Sequence, residues 1–331
     1  MRVVTDLDAR RNPAGSLRRG SAVTIGAYDG LHLGHRHLLG ELKKRAVLPP
    51  GSAEAPLETV VVTFDRHPAT VVRPESAPLL LCDEEQKIEL LAAQGIDTTV
   101  VVAFDAARAH ESAESFVDEV LVGALGARVV VVGENFHFGH NRAGTVASLA
   151  AMGASRGFTV VGLPLDGDPS EGAPVSSTRI RKLLAAGAVA EAAVLLERPH
   201  EVRGPVVHGD GRGGAVVGFP TANVAVAEGI LLPERGIYAG WLVRDGGAVL
   251  PAALSIGVRP TFADGARPPV LEAYVLDFAG NLYGERVAVR FAERIRDEMA
   301  FASVEALADQ IAADVRHVRT VLDLRRASSR C

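Results

Sequence analysis

The first half of the chain alternates between short, valine-rich apolar runs and longer stretches with helical spacing. The runs lie at residues 22–26, 59–64, 99–104, 129–133 and 158–163. Runs this short and this continuously apolar predict parallel strands buried on both faces. Residues 35–46, 84–94 and 115–125 carry their apolar positions at helical spacing. Strand and helix in turn predict a doubly wound, Rossmann-like α/β layer whose ligands gather where strands end and helices begin.

The pattern changes after Gly187. Residues 176–186 predict a helix that opens on two serines able to cap it and stops at that glycine. Residues 188–197 predict a second, alanine-rich helix, ended by Pro199. Strand-like runs then follow at 201–208, 237–244, 249–256, 271–278 and 286–291, separated by turn residues at 244–247 and 279–281. This spacing predicts an antiparallel sheet or barrel. A last helix starts near Val304 and lines up Val304, Leu307, Ile311, Val315, Val318 and Leu322 on one stripe, expected to pack across the barrel. The expected division is therefore 1–187 and 188–331, with exposed loops at 49–56 and 166–174.

Composition narrows the classes. With 331 residues, 48% hydrophobic and 23% charged, the chain reads as a globular protein of two domains. A net charge of −5 argues against a nucleic-acid or anionic-membrane partner, and 5% aromatic residues leave little for base stacking. Four of the 35 basic residues are lysines (Lys43, Lys44, Lys87 and Lys182), so the arginine excess is read as a compositional habit. Cys82 and Cys331 make no disulfide framework or zinc knuckle. The N-terminus lacks the apolar core of a signal peptide, and no apolar run reaches membrane-span length. A cytoplasmic location is expected, as a monomer or transient homo-oligomer.

Chemistry concentrates first in Gly26-Ala27-Tyr28-Asp29-Gly30-Leu31-His32-Leu33-Gly34-His35, between the first predicted strand and a helix. Glycines let backbone approach a ligand, and a helix start offers free N–H groups to an anion. His32 and His35, three apart, face the same side of a helical turn and suit charge developing on a phosphate. A surface turn with incidental histidines, or a metal site lacking a third ligand, are the alternatives on this loop alone. Ser176-Ser177-Thr178-Arg179-Ile180-Arg181 sets hydroxyls at a helix start with Arg181 one turn in, which makes either a phosphate cradle or a plain N-cap.

The long string resembles the HxGH signature of the nucleotidylyltransferase superfamily, as carried by bacterial FAD synthetases. Thr63-Phe64-Asp65-Arg66-His67-Pro68, Gly133-Glu134-Asn135-Phe136-His137-Phe138-Gly139 and the Ser-Ser-Thr string follow in that family's order. The resemblance implies that His32, His35, Asn135 and Arg181 are catalytic. It further implies that Gly26, Asp29, Gly30, Ser177 and Thr178 serve ATP, and that Phe64, Asp65 and His67 serve the flavin.

The second half has its own candidates. A glycine loop, Gly209-Asp210-Gly211-Arg212-Gly213-Gly214, precedes Gly218-Phe219-Pro220-Thr221-Ala222-Asn223. Thr221 and Asn223, two apart on an extended segment, put two neutral oxygens on one face, which suits Mg²⁺. Glu272 shares a strand face with Tyr274 and Leu276 and is expected on the inner face of the barrel, where an acid needs a task such as general base. A solvent-facing glutamate is the alternative. These strings resemble riboflavin kinases, together with Pro233-Glu234-Arg235-Gly236-Ile237-Tyr238-Ala239, the segments at 255–262 and 283–284, and Arg296-Asp297-Glu298.

The chain as a whole, from about residue 20 to about 320, is similar to the prokaryotic bifunctional riboflavin kinase/FMN adenylyltransferases. That implies phosphorylation of riboflavin to FMN, then adenylylation of FMN to FAD with release of pyrophosphate. Glu272 would be the base, Thr221 and Asn223 would hold Mg²⁺, Gly211, Arg212 and Gly213 would cover ATP phosphates, and Arg296 would contact flavin. Arg66 and Glu197 stand where the family commonly has proline and glycine. A chain with one surviving activity and a non-catalytic flavin- or nucleotide-binding regulator are the competing readings.

Overall fold

Six parallel strands form the first sheet, in the order β1-β4-β3-β2-β5-β8: β1 Arg2–Thr5, β2 Ser21–Ile25, β3 Glu58–Phe64, β4 Thr98–Val102, β5 Ala127–Gly133 and β8 Thr159–Leu163. This computed structural model describes residues 1–5, 20–47, 55–164, 174–209, 219–257 and 269–328. The central strands are buried on both faces because their side chains are Val, Ile, Ala and Thr (Val23, Val60, Val62, Val100, Val130 and Val132 among them), and helices cover both sides. Those helices are α1 Leu33–Ala46, α2 Ala69–Val72, α3 Glu84–Ala93, α4 Ala106–Ala109, α5 Ala113–Phe116 and α6 Val146–Arg156, with a π-helical stretch at Val117–Ala124. A two-stranded ribbon, β6 His137–Phe138 with β7 Gly144–Thr145, follows β5.

Chain order runs outward from β2 to β3 and β4 on one side and from β5 to β8 on the other. The switch point therefore lies between β2 and β5, where an open parallel sheet leaves a crevice outside its strand ends.

The chain forms two compact units, Met1–Ser176 and Ser177–Cys331, each described here by itself. The second opens with α7 Ser177–Ala185 and α8 Val189–Leu196, then closes six antiparallel strands into a barrel. Its strands are β9 His200–Val207, β10 Ala222–Val224, β11 Gly236–Arg244, β12 Val249–Gly257, β13 Val270–Val275 and β14 Arg286–Arg296. Alternate residues point inward, so Val202, Val206, Tyr238, Leu242, Leu254, Ile256, Leu271, Ala273 and Phe291 are buried. On the outside, α9 Val304–Ser328 lays Val318, Val321 and Leu322 on Ala239, Leu276 and Ala292.

The expected stripe on α9 starts too early. Val304 is 45% exposed, whereas Val321, which the periodicity omitted, is buried. Strands β1 and β10 and helix α6 also had no prediction. The strands are too short to show a period.

Candidate active sites

At the carboxyl end of β2 the backbone turns sharply before α1. Tyr28 (φ 50°) and Leu31 (φ 39°) both sit in left-handed conformations that cost a side chain of this kind about 1 to 3 kcal/mol each. Burial holds them there: Tyr28 is 1% exposed and Leu31 is 0% exposed. The Tyr28 hydroxyl and Thr24 Oγ1 share a hydrogen bond of 2.6 Å, and burial pushes the phenol above its ordinary range in spite of that bond.

This turn delivers the two histidines. His32 is the N-cap of α1, its Nδ1 accepting the His35 N–H at 3.4 Å, so that Nε2 carries the proton of the neutral ring. The rings of His32 and His35 stack with centroids 3.7 Å apart and planes 16° apart. Desolvation first, and then the neighbouring His32, push His35 well below the usual imidazole range. The stack therefore carries no more than one charge near neutrality.

Asp29 and Gly30 hold the loop in place from below. The buried Asp29 carboxylate accepts the Leu81 N–H at 2.8 Å and the Cys82 N–H at 3.3 Å, and Gly30 N–H is 3.3 Å from Cys82 Sγ. Both residues clamp the loop to the 81–82 segment. Gly26 packs against the Tyr28 ring, where a Cβ would come within 3.2 Å.

The neighbouring strand ends carry the other residues of this half. Phe64 closes β3, its ring edge-on to Phe104 at 5.3 Å. Asp65 accepts the Phe104 N–H at 2.9 Å and pairs with Arg66 at 2.8 Å. His67 Nδ1 accepts the Ala69 N–H at 3.1 Å at the start of α2. Asn135 is exposed on the turn after β5, the strand beside β2, and its carbonyl faces His137 Nδ1 at 2.9 Å. The sheet thus brings His32, His35, Phe64, Asp65 and Asn135 to one edge. Ser177, Thr178 and Arg181 stand on the first turns of α7, which belongs to the second compact unit.

On the barrel, Thr221, Asn223 and Glu272 come together. Thr221 Oγ1 donates to Glu272 Oε2 at 3.1 Å, and Asn223 is directly opposite Glu272 in the β10–β13 ladder. The expectation that Glu272 faces the barrel interior is wrong. Leu271, Ala273 and Val275 take the interior positions, so Glu272 and Tyr274 face outward. The interior is filled by apolar side chains, and a carboxylate has no partner there. Asn223 is 8% exposed because Gly209 lies on it, where a Cβ would be 2.4 Å from the amide nitrogen. His208 stacks on Tyr283 at 4.0 Å beside the same segment. Gly211, Arg212 and Gly213 lie outside the described residues.

Arg296 points to the terminal helix. Its guanidinium binds Asp314 with Nε 3.0 Å from Oδ1 and Nη2 2.6 Å from Oδ2, while Nη1 donates to the Asp297 carbonyl at 2.7 Å. Gln310 supports the same carboxylate at 2.9 Å.

A hydroxyl, an amide oxygen and one carboxylate are hard oxygen donors, which is the set Mg²⁺ accepts alongside phosphate oxygens and water. Among the described residues no group of three or more His, Cys, Asp or Glu could hold a metal by itself.

Two family models match consecutive parts of the chain: FAD synthetase over residues 15–179 and riboflavin kinase over residues 196–322. Proteins named bifunctional riboflavin kinase/FMN adenylyltransferase are similar over nearly the full length. The one from Pseudomonas fluorescens is 38% identical, covering 92% of this chain and 93% of its own. That from Escherichia coli K12 is 36% identical over 90% and 91%, and that from Listeria monocytogenes 34% over 90% and 91%. A crystal structure titled macrolide-efflux protein, from Streptococcus pneumoniae, superposes with a TM-score of 0.81 at 29% identity, over 96% of this chain and 99% of that one. Among the described residues no helix is long and apolar enough to cross a membrane.

Proposed function

The chain belongs to the family of bifunctional riboflavin kinase/FMN adenylyltransferases, and from that premise we propose how its residues divide two phosphorus chemistries. It phosphorylates riboflavin with ATP to give FMN, and adenylylates FMN with a second ATP to give FAD and pyrophosphate. The observation that carries this is the tiling of both family models along the chain, each over a unit with its own polar cluster. For residue roles we assign 1–187 to adenylyl transfer and 188–331 to the kinase.

In the kinase step Glu272 accepts the proton of the riboflavin 5′-hydroxyl as its oxygen attacks the γ-phosphorus, and ADP leaves. The carboxylate's position outside the barrel supports this, since a base must reach a substrate too large to enter a filled interior. Thr221 and Asn223 are the residues that would hold Mg²⁺. When bound, that ion neutralises charge on the ATP phosphates. Gly211, Arg212 and Gly213 are assigned to covering those phosphates.

In the adenylyl step the FMN phosphate is already anionic and needs no base. Its oxygen bonds to the α-phosphorus of ATP while the bond to pyrophosphate breaks. The Nε2–H of His32 and the ring of His35 stabilise the charge that develops, together with Asn135 and Arg181. Ser177 and Thr178 are assigned to the nucleotide phosphates, with Gly26 leaving room for backbone approach. Asp29 and Gly30 act on ATP through the loop they anchor. Phe64, Asp65 and His67 are assigned to the flavin. Arg296 is likewise assigned to the flavin, its guanidinium held by Asp314. A cytoplasmic location, no nucleic-acid or membrane partner, and a monomer or transient homo-oligomer complete the reading.

The test is a chromatographic time course with riboflavin as the sole flavin, plus ATP and Mg²⁺. FMN should rise first and FAD should follow with pyrophosphate. FMN accumulating without FAD would reduce the chain to a kinase, and binding without any turnover would make it a regulator.

A further inference from the structure

Lys87 is the one buried lysine or arginine among the described residues, at 8% exposure. It stands on the first turn of α3, and its Nζ donates to the Phe64 carbonyl at 2.6 Å, the last residue of β3. Cys82, Glu84, Asp29 and Asp65 are the titratable groups around it. Asp29 in turn binds the Leu81 and Cys82 N–H groups, and Gly30 N–H meets Cys82 Sγ. The ammonium is thus bonded to the segment leaving β3 and lies in the electrostatic field of the Asp29 carboxylate that ties the histidine loop to Leu81 and Cys82.

An ammonium buried this way costs desolvation, and an apolar side chain of similar length would fill the space at no such cost. Burial does pull Lys87 below the ordinary lysine range, against the pull of the acids. The Phe64 carbonyl is also the hinge from which Asp65 and His67 leave the sheet, so its direction sets where those side chains go. A hydrogen bond from a charged donor fixes that direction more firmly than a neutral one.

We propose that Lys87 is a positioning residue for the flavin side of adenylyl transfer, locking the Phe64–His67 segment in register with the histidine loop. This rests on the assignment of that segment to the flavin. It touches no reacting atom and acts through the backbone.

The experiment compares wild type with Lys87→Met and Lys87→Arg in the full chain. Readouts are KM for FMN and for ATP in adenylylation, FMN binding by fluorescence quenching, thermal melting, and riboflavin kinase activity as an internal check of folding. Lys87→Met should raise KM and Kd for FMN about tenfold, the usual effect of losing one charged hydrogen bond. KM for ATP should stay within about twofold and the kinase step should be unchanged, while Lys87→Arg should recover part of the loss. The proposal is overturned if Lys87→Met binds FMN like wild type, or if both KM values rise together with a lowered melting temperature, which is the mark of a merely structural role. Wild type that binds FMN without making FAD would count against the functional assignment only, since the binding arm still reads Lys87.

Discussion

His32 and His35 are stacked at 3.7 Å and His35 is held neutral by desolvation and by its partner, so the pair stabilises charge through N–H donation and no more than one positive charge. Removing that donor should cost adenylylation specifically. His32→Ala is expected to lower FAD formation from FMN by about 10² to 10³ and leave riboflavin phosphorylation intact. Glu272→Gln should do the reverse, lowering the kinase step by about 10² to 10⁴, both measured on the same preparations. Gly209 tests the barrel cluster from a different side. A Cβ there would displace the Asn223 amide, with which it overlaps at 2.4 Å. Gly209→Ala should therefore reduce kinase kcat/KM on the order of a hundredfold, the cost of misplacing a site group by about 1 Å, with adenylylation as the control.

Between elements, the junction after α8 holds a strained residue. Glu197 ends that helix at φ 53° and ψ 26°, a left-handed conformation that glycine adopts without a Cβ penalty. Glu197→Gly should raise stability by about 1 kcal/mol in urea melts; a loss would mean that the Glu197 side chain contributes more than its strain removes. The terminal helix is fixed by the Arg296–Asp314 pair, whose side chains are 17% and 6% exposed. Asp314→Ala leaves a largely buried guanidinium without its carboxylate and should cost about 3 kcal/mol. The loss should appear as a lower melting temperature of the unit that carries the barrel.

For the molecule as a whole, two imidazoles that desolvation keeps neutral make the fold sensitive to acid. His200, 1% exposed with Nε2 donating to the Leu231 carbonyl at 3.0 Å, is pulled by burial from 6.5 to about 4. The unfolded chain binds that proton at the higher pH, so acid favours unfolding. The His200 contribution is whole above about pH 6.5, declines as pH falls through the interval to about 4, and amounts to a loss of about 3 kcal/mol once both forms are protonated. His35 adds to the loss with the same sign. Denaturant melts at pH 7.5 and pH 4.5 read this directly, and His200→Phe should flatten the dependence.

The local order of the chain was legible where side-chain periodicity is enforced by burial. The valine runs of β2 to β5 and β8 read as strands because both faces of a parallel sheet are covered. The strings around His32, Asn135, Thr221 and Glu272 were visible because phosphate chemistry restricts residue types to a few hydroxyls, imidazoles and amides. The face of Glu272, the left-handed backbone at Tyr28 and Leu31, the bonds from Leu81 and Cys82 to Asp29, and the partners of Lys87 and Arg296 were decided only by tertiary structure. Each depends on atoms distant in sequence. A strand's period says which residues share a face, but closure of the barrel decides which face is inside. Likewise a carboxylate or ammonium carries no mark of its partner until packing withdraws it from water.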